Sequence, residues 1–163
     1  MNYIGIDPST KTGIVILNKN GEVMHKEEIA SNEKDDLDRF DEIAQKVKSL
    51  VNKTDKVTIE GFSYGSRGRG VSTQYGIGWI LRYVLYYAGV DLVEVPPTTL
   101  KKFATGKGNT KKENMIIPIY KRYGFEDESD NIRDAYVLAQ IARALDGKGE
   151  HTKAQISTLK GLK

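Results

Sequence analysis

The sequence predicts an α/β fold with a five-stranded mixed sheet flanked by helices. Three observations predict it. Residues 2–7 (NYIGID) and 13–17 (GIVIL) are short Ile/Val-rich runs separated by a turn, the mark of paired strands. The apolar period then changes to three and four residues, the mark of a helix. Beyond that point strand-like and helix-like segments alternate, which adds parallel strands to an antiparallel start.

The elements follow in order. Asn20-Gly21 is a strong hairpin signal, so residues 22–29 should pair back onto the second strand. Leu37, Phe40, Ile43, Ala44, Val47, Leu50 and Val51 place an amphipathic helix over 36–52, and a fourth strand follows at 57–60. Residues 62–70 (FSYGSRGRG) hold too much glycine for a helix and too little aliphatic surface to pack, so a loop is expected. Residues 71–88 read as an unusually apolar helix capped by Gly89. A fifth strand at 91–95 is stopped by Pro96-Pro97, and a short helix can start at Thr98. After a basic turn at 106–109, a helix is expected over 110–123 with Pro118 as a flaw in its continuity. The last long helix spans 129–145, preceded by Glu126, Asp127 and Glu128, acids that suit a helix N-terminus.

With 39% apolar and 29% charged residues, the 163-residue chain has the composition of one water-soluble domain, and no apolar run approaches the ~20 residues of a membrane span. MNYIGIDPST lacks the basic and apolar parts of a secretory leader, and there is no cysteine, so a cytoplasmic setting is expected. Charge is uneven. Residues 1–61 hold 9 Lys/Arg against 12 Asp/Glu, residues 62–123 hold 10 against 3, and residues 124–163 hold 6 against 7. The basic middle suits either a solvated face or a phosphate-rich partner.

Asp7 ends the first strand, Glu60 ends the fourth, and Asp134 lies on the last long helix, all within apolar sequence. Burying unpaired carboxylates there is costly, so positive charge should sit among them. If the first and fourth strands are parallel neighbours, Asp7 and Glu60 leave the same end of the sheet, where α/β proteins place their sites. Asp130 and Asn131 lie within one turn of Asp134 on the helix face, so either can join it. Hard oxygen ligands without His or Cys suit Mg²⁺ or Mn²⁺ better than zinc, and a pair of such ions can drive phosphodiester hydrolysis. Singly, each acid also reads as a turn cap, a lysine partner or a solvent-facing helix residue.

IGIDPSTKTGIVIL, IEGF, LKKFATGKGNTKKENM and SDNIRDAYVLAQIA resemble the RuvC family of Holliday junction resolvases in order, spacing and content. The resemblance implies a ribonuclease H-like fold and a homodimer that cuts branched DNA with Mg²⁺ or Mn²⁺, two ions per site. The resemblance covers residues 2 to about 145, giving a nuclease domain over 1–146; the residues beyond, 147–163, read as a polar tail in which 154–162 can form a docking turn. By position, Asp7, Glu60 and Asp134 match metal-binding carboxylates of the family, and Lys101 and Lys112 match lysines near the scissile phosphate. Bacterial members carry Asp where this chain has Asn131. Either Asp130 supplies the fourth charge or Asn131 ligates through its carbonyl, and Asp130 is favoured. Lys102, Lys107 and Lys111 add backbone attraction to DNA. In the 62–70 loop, Phe62 or Tyr64 can wedge at a junction centre while Arg67 and Arg69 hold phosphates. The aromatic helix 71–88 offers more apolar surface than a monomer usually exposes, which suits a dimer contact. The short lysine-rich chain and its departures from the bacterial pattern suggest a phage-encoded member acting in the host cytoplasm.

Three other functions share part of this pattern. A first-strand Asp with a Ser/Thr turn also opens sugar kinases and actin-like ATPases, but those need two domains and an adenosine site. A noncatalytic DNA-binding module would not need three acids beside phosphate. An RNA–DNA hybrid hydrolase is the nearest competitor.

Overall fold

The computed structural model describes residues 1–64, 68 and 70–162. Strands β1 (Tyr3–Asp7), β2 (Lys11–Leu17) and β3 (Val23–Ala30) form an antiparallel meander, and β4 (Lys56–Glu60) and β5 (Leu92–Val95) add in parallel beyond β1. The resulting order is β3-β2-β1-β4-β5. The β2–β3 hairpin closes as its sequence demands: Gly21 adopts a φ of 90°, where a side chain would be strained.

Alternation along the strands separates two cores. Ile4, Ile6, Val57 and Ile59 face α1 (Asp36–Leu50) and α2 (Val71–Tyr87), meeting Ile43, Val47, Ile77 and Leu81. Tyr3 faces the other side, where α3 (Pro97–Thr105), α4 (Ile116–Tyr123) and α5 (Asp130–Leu145) supply Phe103, Ile119, Val137, Leu138 and Ile141. Asp7 and Gly5 share Tyr3's face by the same alternation, and so do Thr58 and Glu60 on β4. Both strand-end acids therefore point toward α5.

Two glycines set how close α5 comes. A Cβ on Gly5 would lie 2.0 Å from the Ala135 carbonyl oxygen, and one on Gly13 would lie 2.3 Å from that of Asn131. The helix backbone rests directly on β1 and β2, and Thr58 Oγ1 donates to the Leu138 carbonyl at 2.7 Å. Nearly all of α5 is buried as a consequence, including Asp134.

The expected 110–123 helix is divided. Residues Lys112–Met115 form a 3₁₀ turn, and α4 starts at Ile116. Pro118 explains the break: it has no N–H to give the preceding turn, and it fits only in the first turn of a new helix. The short helix expected from Thr98 begins one residue earlier, with Pro97 at its first position. In the C-terminal segment, α6 (Lys153–Thr158) is held by a capping box between Thr152 and Gln155. Gln155 Nε2 reaches the Phe103 carbonyl at 3.1 Å, and Leu159 joins the α5-side core. No helix among the described residues is long and apolar enough to cross a membrane.

Candidate active site

In the register of β1 and β4, Ile6 lies opposite Ile59, so Asp7 and Glu60 leave the sheet side by side. Their carboxyls face each other, and each shifts the titration of the other. The second turn of α5 brings Asp134 to the same place, since Gly5 and Gly13 let the helix come down on the sheet. Asp7 and Asp134 are each only 4% exposed. Together with Ser9, Phe62, Tyr75, Lys101, Lys112 and Asn131, the three acids line a cleft of about 220 Å³.

The electrostatics of this cleft favour added positive charge. Burial, then the neighbouring charges of Glu60 and Asp134, push the Asp7 carboxyl well above the usual carboxylate range. Burial also raises Glu60, although the Asp7 carboxyl works against the rise. Burial raises Asp134 too, opposed by Lys112. Lys112 Nζ lies 2.8 Å from Asp130 Oδ2 and 3.2 Å from Asp134 Oδ2. Its own burial disfavours its charge, yet the Asp130 hydrogen bond and the Asp134 and Asp7 charges raise its pKa overall. One ammonium is thus shared among several carboxylates. The donors are hard oxygens and their charge is under-compensated, so the residues fit a divalent cation such as Mg²⁺ or Mn²⁺. Among the described residues no three His, Cys, Asp or Glu side chains are drawn together as a metal site, and Asp134 pairs with Lys112.

Asp130 and Asn131 take different positions. Asp130 is turned to Lys112, whose hydrogen bond holds its carboxyl below the usual range, and it is absent from the cleft lining. Asn131 lines the cleft, with its Nδ2 donating to the Lys11 carbonyl and to Glu28 Oε1, both at 3.0 Å. Lys101 lines the cleft, whereas Lys102, Lys107 and Lys111 are exposed outside it.

Phe62 and Tyr64 are also distinguished. Phe62 lies on α2, its ring 5.0 Å from that of Tyr75 and 5.1 Å from that of Trp79. Gly78 makes that seat, since a Cβ there would come 2.6 Å from the ring. Tyr64 is 81% exposed at the rim. Arg67 and Arg69 lie outside the described residues. On the outer face of α2, Trp79, Tyr83, Tyr86 and Tyr87 are exposed while Ile77, Leu81 and Leu85 are buried.

Sequence reasoning missed Arg82. Its Nη2 donates to the Glu60 carbonyl at 2.9 Å, and its guanidinium lies 4.3 Å from the centre of the Phe62 ring. Only its place four residues beyond Gly78, on an otherwise apolar helix, hinted at a buried role.

The mixed sheet in this order, with acids from β1, β4 and α5 at one end, defines a ribonuclease H-like fold. Comparison with known proteins narrows the class. A crossover junction endodeoxyribonuclease RuvC from Ehrlichia ruminantium (strain Gardel) is 31% identical over 147 residues, 81% of this chain and 92% of that protein. Its counterpart from strain Welgevonden is 29% identical with the same coverage. The structure of Thermus thermophilus RuvC superposes with a TM-score of 0.72 at 17% identity, over 93% of this chain and 100% of that one. T. thermophilus RuvC in complex with Holliday junction substrate gives a TM-score of 0.69 at 18% identity, over 93% and 99%. No protein-family model matches the chain. The chain belongs to the RuvC family of crossover junction endodeoxyribonucleases.

Proposed function

We propose that this protein is a structure-selective endonuclease that cleaves Holliday junctions and other branched DNA by metal-dependent phosphodiester hydrolysis in the cytoplasm. The observation that carries the reading is the convergence of Asp7, Glu60 and Asp134 in one cleft with Lys101 and Lys112. Acids beside DNA repel phosphate unless cations intervene, which disfavours a purely DNA-binding role.

Asp7, Glu60 and Asp134 are the residues that would hold Mg²⁺ or Mn²⁺, two ions per site. Bound there, the ions supply Lewis-acid activation and stabilise charge on the phosphate and the departing 3′ oxygen. Lys101 and Lys112 steady the scissile phosphate by direct charge. Asp130 acts through Lys112, keeping its ammonium beside Asp134. Exposed Lys102, Lys107 and Lys111, with Arg67 and Arg69, contact the backbone of the arms. The exposed Tyr64 enters an unpaired junction centre, and Phe62, whose ring lies beside it, supports it; the exposure of Tyr64 supports this reading. The outer face of α2 serves a symmetric dimer that presents two clefts to one junction.

The test offers purified protein a four-way junction, a fork, a linear duplex and an RNA–DNA hybrid, with Mg²⁺, with Mn²⁺ and with chelator. Cutting of the junction and fork only with metal is expected. Degradation of the hybrid with junction and fork left intact would falsify the resolvase reading.

A further inference from the structure

An arginine in a nuclease cleft invites assignment as a phosphate binder. The contacts of Arg82 argue otherwise. Nε donates to Glu94 Oε2 at 3.0 Å, Nη1 to the Gly78 carbonyl at 2.9 Å, and Nη2 to both Glu94 Oε2 at 2.7 Å and the Glu60 carbonyl at 2.9 Å. Four of its five N–H donors are thereby committed within the protein. The guanidinium lies against the Phe62 ring, 4.3 Å from the centroid, and the side chain is only 11% exposed. Little of the group remains for DNA.

These contacts join three elements. Glu60 is the last residue of β4, Glu94 belongs to β5, and Gly78 is one turn back on α2. Gly61 N–H donates to the Val95 carbonyl at 2.8 Å, so the chain leaving β4 is held from both sides. Phe62 is the next residue. Arg82 is therefore bonded to the backbone of a cleft carboxylate and stacked on the aromatic that supports the rim.

We infer that Arg82 is a positioning residue: it fixes the Glu60 main chain and the Phe62 ring, and so aims the Glu60 carboxylate and the 62–64 segment without itself touching DNA. This rests on the nuclease reading of the cleft. Misplacing a reacting group by about 1 Å can cost on the order of 10²-fold in rate, so the role carries a large kinetic signature. Lysine keeps the charge but is a single point donor on a flexible stem and cannot replace the planar fork.

The experiment compares the wild-type protein with Arg82→Lys, Arg82→Gln and Glu94→Gln. Glu94 is half-exposed and lies outside the cleft lining, so its variant keeps the protein folded if either arginine substitution does not. Single-turnover junction cutting, junction affinity and its salt slope in chelator, and emission of Trp79, the sole tryptophan, are measured. Trp79 reports on the seat of Phe62 because its ring lies tilted 5.1 Å from that of Phe62. Arg82→Lys should slow cutting by roughly 10- to 100-fold, shift Trp79 emission, and leave affinity within about threefold with an unchanged salt slope. Glu94→Gln should move cutting and emission the same way, less far. The inference is overturned if Arg82→Lys cuts like wild type, or if Arg82→Gln weakens binding and flattens the salt slope with Trp79 emission unchanged. A wild-type protein that cuts no branched DNA removes the nuclease reading, whereas the emission shift tests the Phe62 clamp independently.

Discussion

Where β1 begins, buried polar groups have partners; where it ends, buried carboxylates crowd together. At the start, Tyr3 Oη donates to Asp146 Oδ2 at 2.6 Å, and the buried carboxylate of Asp55 accepts from the amides of Asn2 at 2.7 Å and Asn52 at 2.9 Å. Arg143 Nη1 and Nη2 donate to Gln140 Oε1 and to the Lys19 carbonyl, and only its Nε lacks a partner there among the described residues. At the finish, Asp130 and Asp134 share Lys112, while Asp7 and Glu60 crowd together beside them. The same strand and the same helix, α5, connect the two ends. Burial of charge is thus resolved where it serves the fold and left short where it serves chemistry, as expected if folding tolerates a cost at the site.

Substitutions at the two ends should accordingly have opposite signatures. The largest effects are kinetic. Asp134→Asn and Glu60→Gln should each lower junction cutting by about 10²-fold or more in single-turnover assays, while Asp130→Asn, which acts through Lys112, should cost only about 10-fold. Equal losses at 130 and 134 would make Asp130 a direct ligand.

Next come the residues that build the frame. Gly5→Ala drives a methyl into the Ala135 carbonyl and should destabilise the fold by about 3 kcal/mol in denaturant melts. Asp55→Ala removes the buried acceptor of the Asn2 and Asn52 amides and should cost about 1–2 kcal/mol, with cutting by the folded fraction unchanged. Tyr3→Phe leaves Asp146 without its donor and should cost about 1 kcal/mol, again without a kinetic defect. A cutting defect from either of the last two would erase the distinction between the ends.

The smallest effect is a pH trend. Because the folded pKa of Asp7 is raised, the folded protein binds the proton more tightly than the unfolded chain. That contribution to stability is fully present below the ordinary carboxylate range near ~4 and is lost as pH rises through the higher folded value. In chelator, Asp7→Asn should therefore gain on wild type in thermal melts as pH rises from 5 to 8, reaching a few °C. A gap that is constant with pH would remove Asp7 as its source.

Much of this was legible in the sequence because period and punctuation are local. The NG hairpin, the helix over 36–52 and the strands bearing Asp7 and Glu60 all follow from alternation and turn residues. What escaped depends on approach between distant segments. Gly5 and Gly13 look like ordinary strand glycines until a helix more than a hundred residues later lies on them. Arg82 contacts β4 and β5, so its role appears only once those strands meet α2. The apolar excess of α2 was visible, but its division into a buried Ile77-Leu81-Leu85 side and an exposed Trp79-Tyr83-Tyr86-Tyr87 side needed the sheet. Pro118 did mark the helix break, although its position within the new first turn required the 3₁₀ turn before it.

The most direct measurement mixes Asp7→Asn protein with a labelled four-way junction and follows binding in chelator and cutting after Mg²⁺ is added. Junction bound with wild-type affinity and left uncut is the expected result, since removing one cleft carboxylate leaves the basic surface intact. Cutting at the wild-type rate would show that the chemistry does not occur at the acid end of the sheet.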